Sequence, residues 1–198
     1  MAPPTAPPPP DFVGSQLTDG ADVKLLTLAI LRRPCGGLVL GLKKRGFGAG
    51  YINGFGGKVE AGESVAAAAA REVHEECGVT VTAMRQVGLI HFVFDDQPRP
   101  WETHVFEVSG WEGDPSESDE MAPLEVSPPD LDYSSMWADD RWWYPLFLAG
   151  ARFQAVFAFA GTTVLRWHAL APLAEGEHFE PSGAAFLRSA LHLGCKHD

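Results

Sequence analysis

Two short runs, Gly57-Lys-Val-Glu-Ala-Gly-Glu63 and Arg71-Glu-Val-His-Glu-Glu-Cys-Gly-Val79, stand seven residues apart in this chain. Between them, Ser64 precedes Val65 and five consecutive alanines. Ser64 suits an N-cap, alanine is the strongest helix former, and Gly78 suits a left-handed C-cap, so the spacing predicts a helix over residues 64–77. Its last two turns carry three carboxylates. Glu72 and Glu76 lie one turn apart and face the same way, with Glu75 on the flank. Like charges this close repel, and no lysine stands between Glu72 and Val79, so a cation must reach them from elsewhere. Hard oxygen donors of this kind suit magnesium, with manganese as a substitute, because the ion bridges carboxylates to substrate phosphates.

Outward from this helix, residues 43–57 are dense in glycine, which marks a backbone that bends sharply or approaches something closely. Apolar runs at 23–31 and 38–42 read as buried strands around a turn at 32–37. Further strands are expected at 81–94 and 103–108, followed by an acidic loop at 112–120 and a Pro-rich stretch at 127–132. A short helix at 139–149, a hairpin from 153–159 to 162–170 turning at Gly161, and one or two helical turns at 183–193 complete the reading.

Composition sets the limits. The chain has 198 residues, 45% of them hydrophobic and 21% charged, enough apolar side chains for one globular domain, here expected over residues 23–172. No stretch approaches the ~20 apolar residues of a membrane helix, so no membrane partner is expected. Acidic residues number 26 against 15 basic ones, net charge -11. A chain without a basic stripe is poorly suited to a nucleic-acid polymer, and a small phosphate-bearing partner fits it better. Cysteines at 35, 77 and 195 match neither a disulfide framework nor a zinc set. Residues 1–10 contain six prolines, and no basic residue precedes Lys24. An extended, solvated tail over 1–22 is therefore expected, with no targeting signal, a cytoplasmic location, and an extension of unassigned role at 173–198. Nuclear and mitochondrial pools stay compatible with this reading.

The spacing matches G-x5-E-x7-R-E-U-x-E-E-x-G-U, with U a bulky aliphatic, and so the chain resembles the Nudix hydrolases. The resemblance implies an α/β class protein with the Nudix fold, an α/β/α sandwich around a mixed β-sheet. It implies that Glu72 and Glu76 hold divalent metal together with the backbone carbonyl of Gly56. Glu75 and Arg71 support them, Arg71 gripping a carboxylate in bidentate fashion, and Glu63 supports the loop-to-helix junction or a metal-bound water. Which glutamate acts as the base stays open.

Four further segments sharpen the likeness: Lys43-Lys-Arg-Gly-Phe-Gly-Ala-Gly, Asn53-Gly-Phe-Gly-Gly-Lys-Val, Glu117-Ser-Asp-Glu-Met, and Met136-Trp-x-Asp-Asp-x-x-Trp-x-Pro145. Over residues 25–170 they resemble the oxidised purine nucleoside triphosphatases, the animal homologues of MutT. Glu120 then corresponds to a loop carboxylate serving as a further metal ligand or base. A purine needs a flat apolar slot with polar groups at its edge. Trp137, Phe47 and Phe92 supply walls in this reading, and Asn53, Asp139 and Asp140 the edge; Thr27 and Phe94 line the pocket, and Lys43 faces the triphosphate or the base rim. Two adjacent carboxyls in an aromatic pocket are expected to share one proton, so that one donates while the other accepts. The same pair also suits the start of the helix that follows.

Trp101 stands where these relatives carry a slimmer methionine, and Leu124-Glu125-Val126 replaces an aromatic-rich strand, which leaves pocket width open. The implied activity is Mg-dependent hydrolysis of 8-oxo-dGTP and 2-oxo-dATP to monophosphate and pyrophosphate by a monomer. The rivals are a Nudix enzyme for methylated purine nucleotides, dinucleotides or ADP-ribose, and a nucleotide sensor without turnover.

Overall fold

The structure, a computed structural model, describes residues 9–193. Its elements in chain order are α1 (Asp11–Gln16), β1 (Lys24–Arg32), β2 (Leu38–Lys43), β3 (Ile52–Asn53), α2 (Val65–Cys77), β4 (Thr80–Phe94), β5 (Trp101–Glu112), β6 (Met121–Val126), α3 (Asp140–Leu148), β7 (Arg152–Ala160), β8 (Val164–Leu173) and α4 (Gly183–Leu193). Contacts group them into two compact units, one of residues 25–87 and 103–141, the other of the remainder.

In the first unit the strand order is β3-β2-β1-β5-β4, with β6 pairing β2. β2 is antiparallel to β1, β3 and β6, with Leu31 opposite Val39 and Leu40 opposite Leu124. The short β3 was not among the sequence expectations, and β6 contains Leu124-Glu125-Val126, which only the resemblance had set at a strand position. Helix α2 lays Ala69, Val73 and Cys77 onto Ala29, Leu31, Val39, Phe55, Phe106 and Val108, all essentially without solvent contact. In the second unit β4 runs parallel to β7, and β7 antiparallel to β8. Parallel and antiparallel pairs with packed helices make this an α/β protein with a mixed sheet, in line with the expected class.

The tails differ from expectation. Residues 11–16 are helical, and Val13 and Leu17 are buried against Phe186 and Leu187 of α4. Apolar side chains at 12, 13 and 17 give this stretch a face worth burying, and residues 1–8 of the expected tail lie outside the described residues. Helix α4 has the expected bounds and is no appendage: its apolar side joins the same core. The boundaries expected at 22/23 and 172/173 therefore do not delimit the packed units.

Candidate active site

The glycine run before α2 lies along β1 as a second edge. Ala29 N–H donates to Phe55 O at 2.6 Å, Phe55 N–H to Ala29 O at 2.8 Å, and Thr27 N–H to Gly57 O at 2.9 Å. This approach needs glycine. A Cβ on Gly56 would fall 2.1 Å from the carbonyl oxygen of Thr27, and one on Gly57 would fall 2.5 Å from the Glu72 carboxylate. The loop thus ends against the first metal-binding candidate. Helix α2 then starts where expected, with Ser64 Oγ accepting from Ala67 N–H at 3.1 Å, and ends at Gly78 with φ 76°.

Two cations answer the carboxylates of this helix, and one of them comes from far along the chain. Arg71 donates to Glu63 at 2.8 Å, to Glu72 and Glu75 at 3.0 Å each, and to Lys58 O at 3.1 Å. Lys43 Nζ, at the end of β2, lies 2.7 Å from Glu76 Oε1 and 2.9 Å from Glu120 Oε2. Glu76 Oε2 accepts from Gly56 N–H at 2.8 Å, and Arg45 reaches Glu120 Oε1 at 2.9 Å. Lys43, expected at the triphosphate or base rim, is thus placed within the carboxylate cluster.

Burial and pairing pull these groups in opposite directions. Burial raises the pKa of Glu76 above the ordinary carboxylate value despite Lys43 and Gly56 N–H, and burial raises that of Glu72 despite Arg71. Glu120, more open, is lowered by its bond to Lys43. For Lys43 burial works downward, yet the bonds to Glu76 and Glu120 outweigh it and raise the ammonium above its usual value.

These side chains face one open cleft of about 680 Å³, walled by Lys43, Gly56, Gly57, Arg71, Glu72 and Glu76 among others. Among the described residues no three His, Cys, Asp or Glu side chains converge as a ready cage. The reason is visible: the ammonium of Lys43 sits between Glu76 and Glu120, and Arg71 holds Glu72. Every donor is nevertheless a carboxylate or backbone oxygen already arranged about positive charge, so the set fits a hard divalent cation.

The residues expected around a base divide. Trp137 stacks on Phe47, with centroids 5.0 Å apart and planes 14° apart, and on Tyr51, at 4.7 Å and 11°. Phe47 and Trp137 are therefore not opposed walls with a gap between them, because parallel rings at contact distance leave no space for a third. Glycine lets the loop come this close: a Cβ on Gly48 would lie 2.9 Å from the indole. Asp139 and Asp140 are 3% and 1% exposed. Asp140, the first residue of α3, accepts on its Oδ2 from Trp137 N–H at 2.9 Å, which ties the backbone before the helix to its first turn. Asn53 Oδ1 accepts from Gly54 N–H, and Thr27 is buried with its hydroxyl 3.4 Å from Gly57 N. Tyr51 escaped the sequence reading; the available signal was its position four residues after Phe47 in the glycine run.

Phe92 and Phe94 belong to the second unit. There they form an aromatic layer with Phe157 and Phe159, at centroid distances of 5.7 to 6.3 Å. Trp101 leans on Phe94 at 4.8 Å, and the ammonium of Lys24 lies 4.2 Å above its ring. His74 is exposed, with its Nδ1 3.3 Å from Val79 O at the helix end.

The NUDIX domain family matches residues 25–147. An oxidized purine nucleoside triphosphate hydrolase of Danio rerio is 46% identical over 147 residues, 74% of this chain and 94% of the relative. One of Mus musculus is 40% identical over 136 residues, 69% of this chain and 86% of the relative. Among solved structures, a mutator MutT protein from Bacillus halodurans is similar at TM-score 0.67 and 25% identity, covering 75% of this chain and 97% of its own.

Proposed function

The chain belongs to the NUDIX family of hydrolases, and from that premise we propose that it hydrolyses oxidised purine nucleoside triphosphates to the monophosphate and pyrophosphate. The observation that carries this reading is the oxygen-only cluster of Glu72, Glu76 and Glu120 on one cleft, with Lys43 between Glu76 and Glu120 and Arg71 holding Glu72. Divalent metal is general to the family, and the hard donors favour Mg2+ over softer ions, with Mn2+ as a substitute. Glu72, Glu76, Glu120 and the carbonyl of Gly56 would hold it, and it would draw charge from the phosphates and lower the pKa of an attacking water.

The chain's own residues do the rest. Arg71, held by Glu63 in a bidentate grip, orients Glu72 and Glu75 through its remaining Nη1, and a carboxylate of the cluster takes the proton of the water that attacks the β-phosphorus. Trp137, stacked with Phe47 and Tyr51, forms a rigid aromatic cluster that borders the base. Asp139 and Asp140 read the purine edge, one of the pair accepting and the other donating. Asn53 adds a donor and an acceptor. The protein works as a monomer on the cytosolic nucleotide pool.

Steady-state pyrophosphate release with Mg2+ tests this on a panel of 8-oxo-dGTP, 2-oxo-dATP, dGTP, a methylated purine triphosphate and ADP-ribose. The expected result is highest kcat/KM on the oxidised purines. A preference of about tenfold or more for ADP-ribose overturns the substrate, and no turnover on any member overturns the enzyme reading.

A further inference from the structure

Lys43, Lys44 and Arg45 put three cations in a row, and the fold divides them. Lys43 Nζ lies 2.9 Å from Glu120 Oε2 and Arg45 Nη2 lies 2.9 Å from Glu120 Oε1, so the outer two hold both oxygens of one carboxylate. Lys44 goes elsewhere, its Nζ 2.6 Å from Glu117 Oε1 and 2.8 Å from Ser118 O. The walls of the cleft accordingly include Lys43 and Arg45 but not Lys44. Arg45 has no part in the metal set or in the proton transfer described above.

The backbone here is tied down. Lys43 pairs with Met121 across β2 and β6, Lys44 N–H donates to Glu120 O at 2.7 Å, and Ser118 Oγ accepts from both Glu120 N–H and Met121 N–H. The segments carrying Arg45 and Glu120 are thus locked side by side, and a rearrangement at Glu120 falls on the side chains.

Charge supplies the reason for one. Glu120 carries a single negative charge and answers two positive ones. A divalent cation on Glu120 and Glu76 meets the ammonium of Lys43 already between them, and like charges a few ångströms apart repel. Once the charge of Glu120 is drawn to a metal, Lys43 and Arg45 lose their counter-charge, and a phosphate chain supplies a new one. Arg45 suits that exchange. Its side chain is 62% exposed and spends Nη2 on Glu120, and a guanidinium carries further N–H donors in a fork that matches phosphate oxygens.

We propose that Arg45 binds the phosphate chain of the substrate, its guanidinium passing from Glu120 to phosphate oxygens when a divalent cation takes that carboxylate. This rests on the reading of the cleft as the site of a metal-bound triphosphate, and not on the identity of the base.

Calorimetry on the full-length protein tests it with two probes that carry no base: Mn2+ alone, and the preformed Mn2+ complex of inorganic tripolyphosphate. Arg45→Ala is expected to bind Mn2+ alone about fivefold more tightly, the scale of removing one like charge a few ångströms away in water. The same variant is expected to bind the tripolyphosphate complex about tenfold more weakly, and a general loss of structure would not move the two affinities in opposite directions. Arg45→Lys keeps the charge and loses the fork, so it should match wild type for Mn2+ and recover only part of the tripolyphosphate affinity. Lys44→Ala removes the same charge outside the cleft and should leave both affinities within about twofold. Wild-type tripolyphosphate binding by Arg45→Ala overturns the proposal, and so does an equal loss in Lys44→Ala, which would reduce Arg45 to bulk charge. Mn2+ binding no tighter in Arg45→Ala overturns the exchange at Glu120. A wild-type chain that binds both probes yet shows no preference for oxidised purines defeats the substrate reading alone, whereas one that binds neither defeats the cleft reading and the proposal with it.

Discussion

Lys43 Nζ bridges Glu76 and Glu120, 2.7 and 2.9 Å from their oxygens, so one ammonium joins helix α2 to the loop before β6. The buried Glu76 thereby has a counter-charge in Lys43, and the same oxygens are the ones a divalent cation would need. A residue on β2, 33 positions before Glu76, thus balances a charge that the helix itself leaves uncompensated.

Glu76→Gln keeps the shape of the side chain and removes a charge that metal requires. Pyrophosphate release is expected to fall by roughly a hundredfold or more, the scale of losing one charge-stabilising group, while a non-hydrolysable nucleotide still binds. Turnover near the wild-type rate would contradict the assignment of Glu76 to metal.

Arg71 grips three carboxylates and a carbonyl with one planar fork. Arg71→Lys retains the charge and loses that geometry, so kcat is expected to drop roughly 10- to 100-fold, as for loss of a group that orients a metal ligand. A variant with unchanged kcat would show that charge alone suffices.

Gly56→Ala sets a methyl 2.1 Å from the backbone oxygen of Thr27, which has no rotamer by which to yield. The loop must peel from β1 at a cost of roughly 1–3 kcal/mol. For a chain of this size that corresponds to a drop of about 2–10 °C in Tm, readable by calorimetry. A Tm equal to wild type would mean that the loop does not hug the strand.

Burial pushes the Cys77 thiol up from 9.0 to about 11, and its Sγ donates to Val73 O. Because the unfolded thiol ionises first, this group's share of stability is whole below pH 9 and is lost as pH rises toward 11. Urea midpoints at pH 8 and pH 10 should fall less steeply for Cys77→Ala than for the parent. In the native state at pH 8, a thiol reagent should modify the exposed Cys35 and spare Cys77.

Much of the site was legible because its signals are local. Ser64, the alanines and Gly78 specify helix α2 within one segment, and the i, i+4 spacing alone puts Glu72 and Glu76 on one side of it. Arg71 lies close enough in sequence to Glu63, Glu72 and Glu75 for its clamp to be foreseen. The sequence by itself therefore determined the carboxylate-bearing helix, its caps and the glycine approach to it, since backbone propensity and helical period act over a few residues. The tertiary structure decided the rest: that Lys43 enters the cluster, that Tyr51 and Phe47 both lie on Trp137, and that residues 11–17 meet α4. Those contacts join residues far apart along the chain, and only the folded path of the strands says which distant side chains share a space.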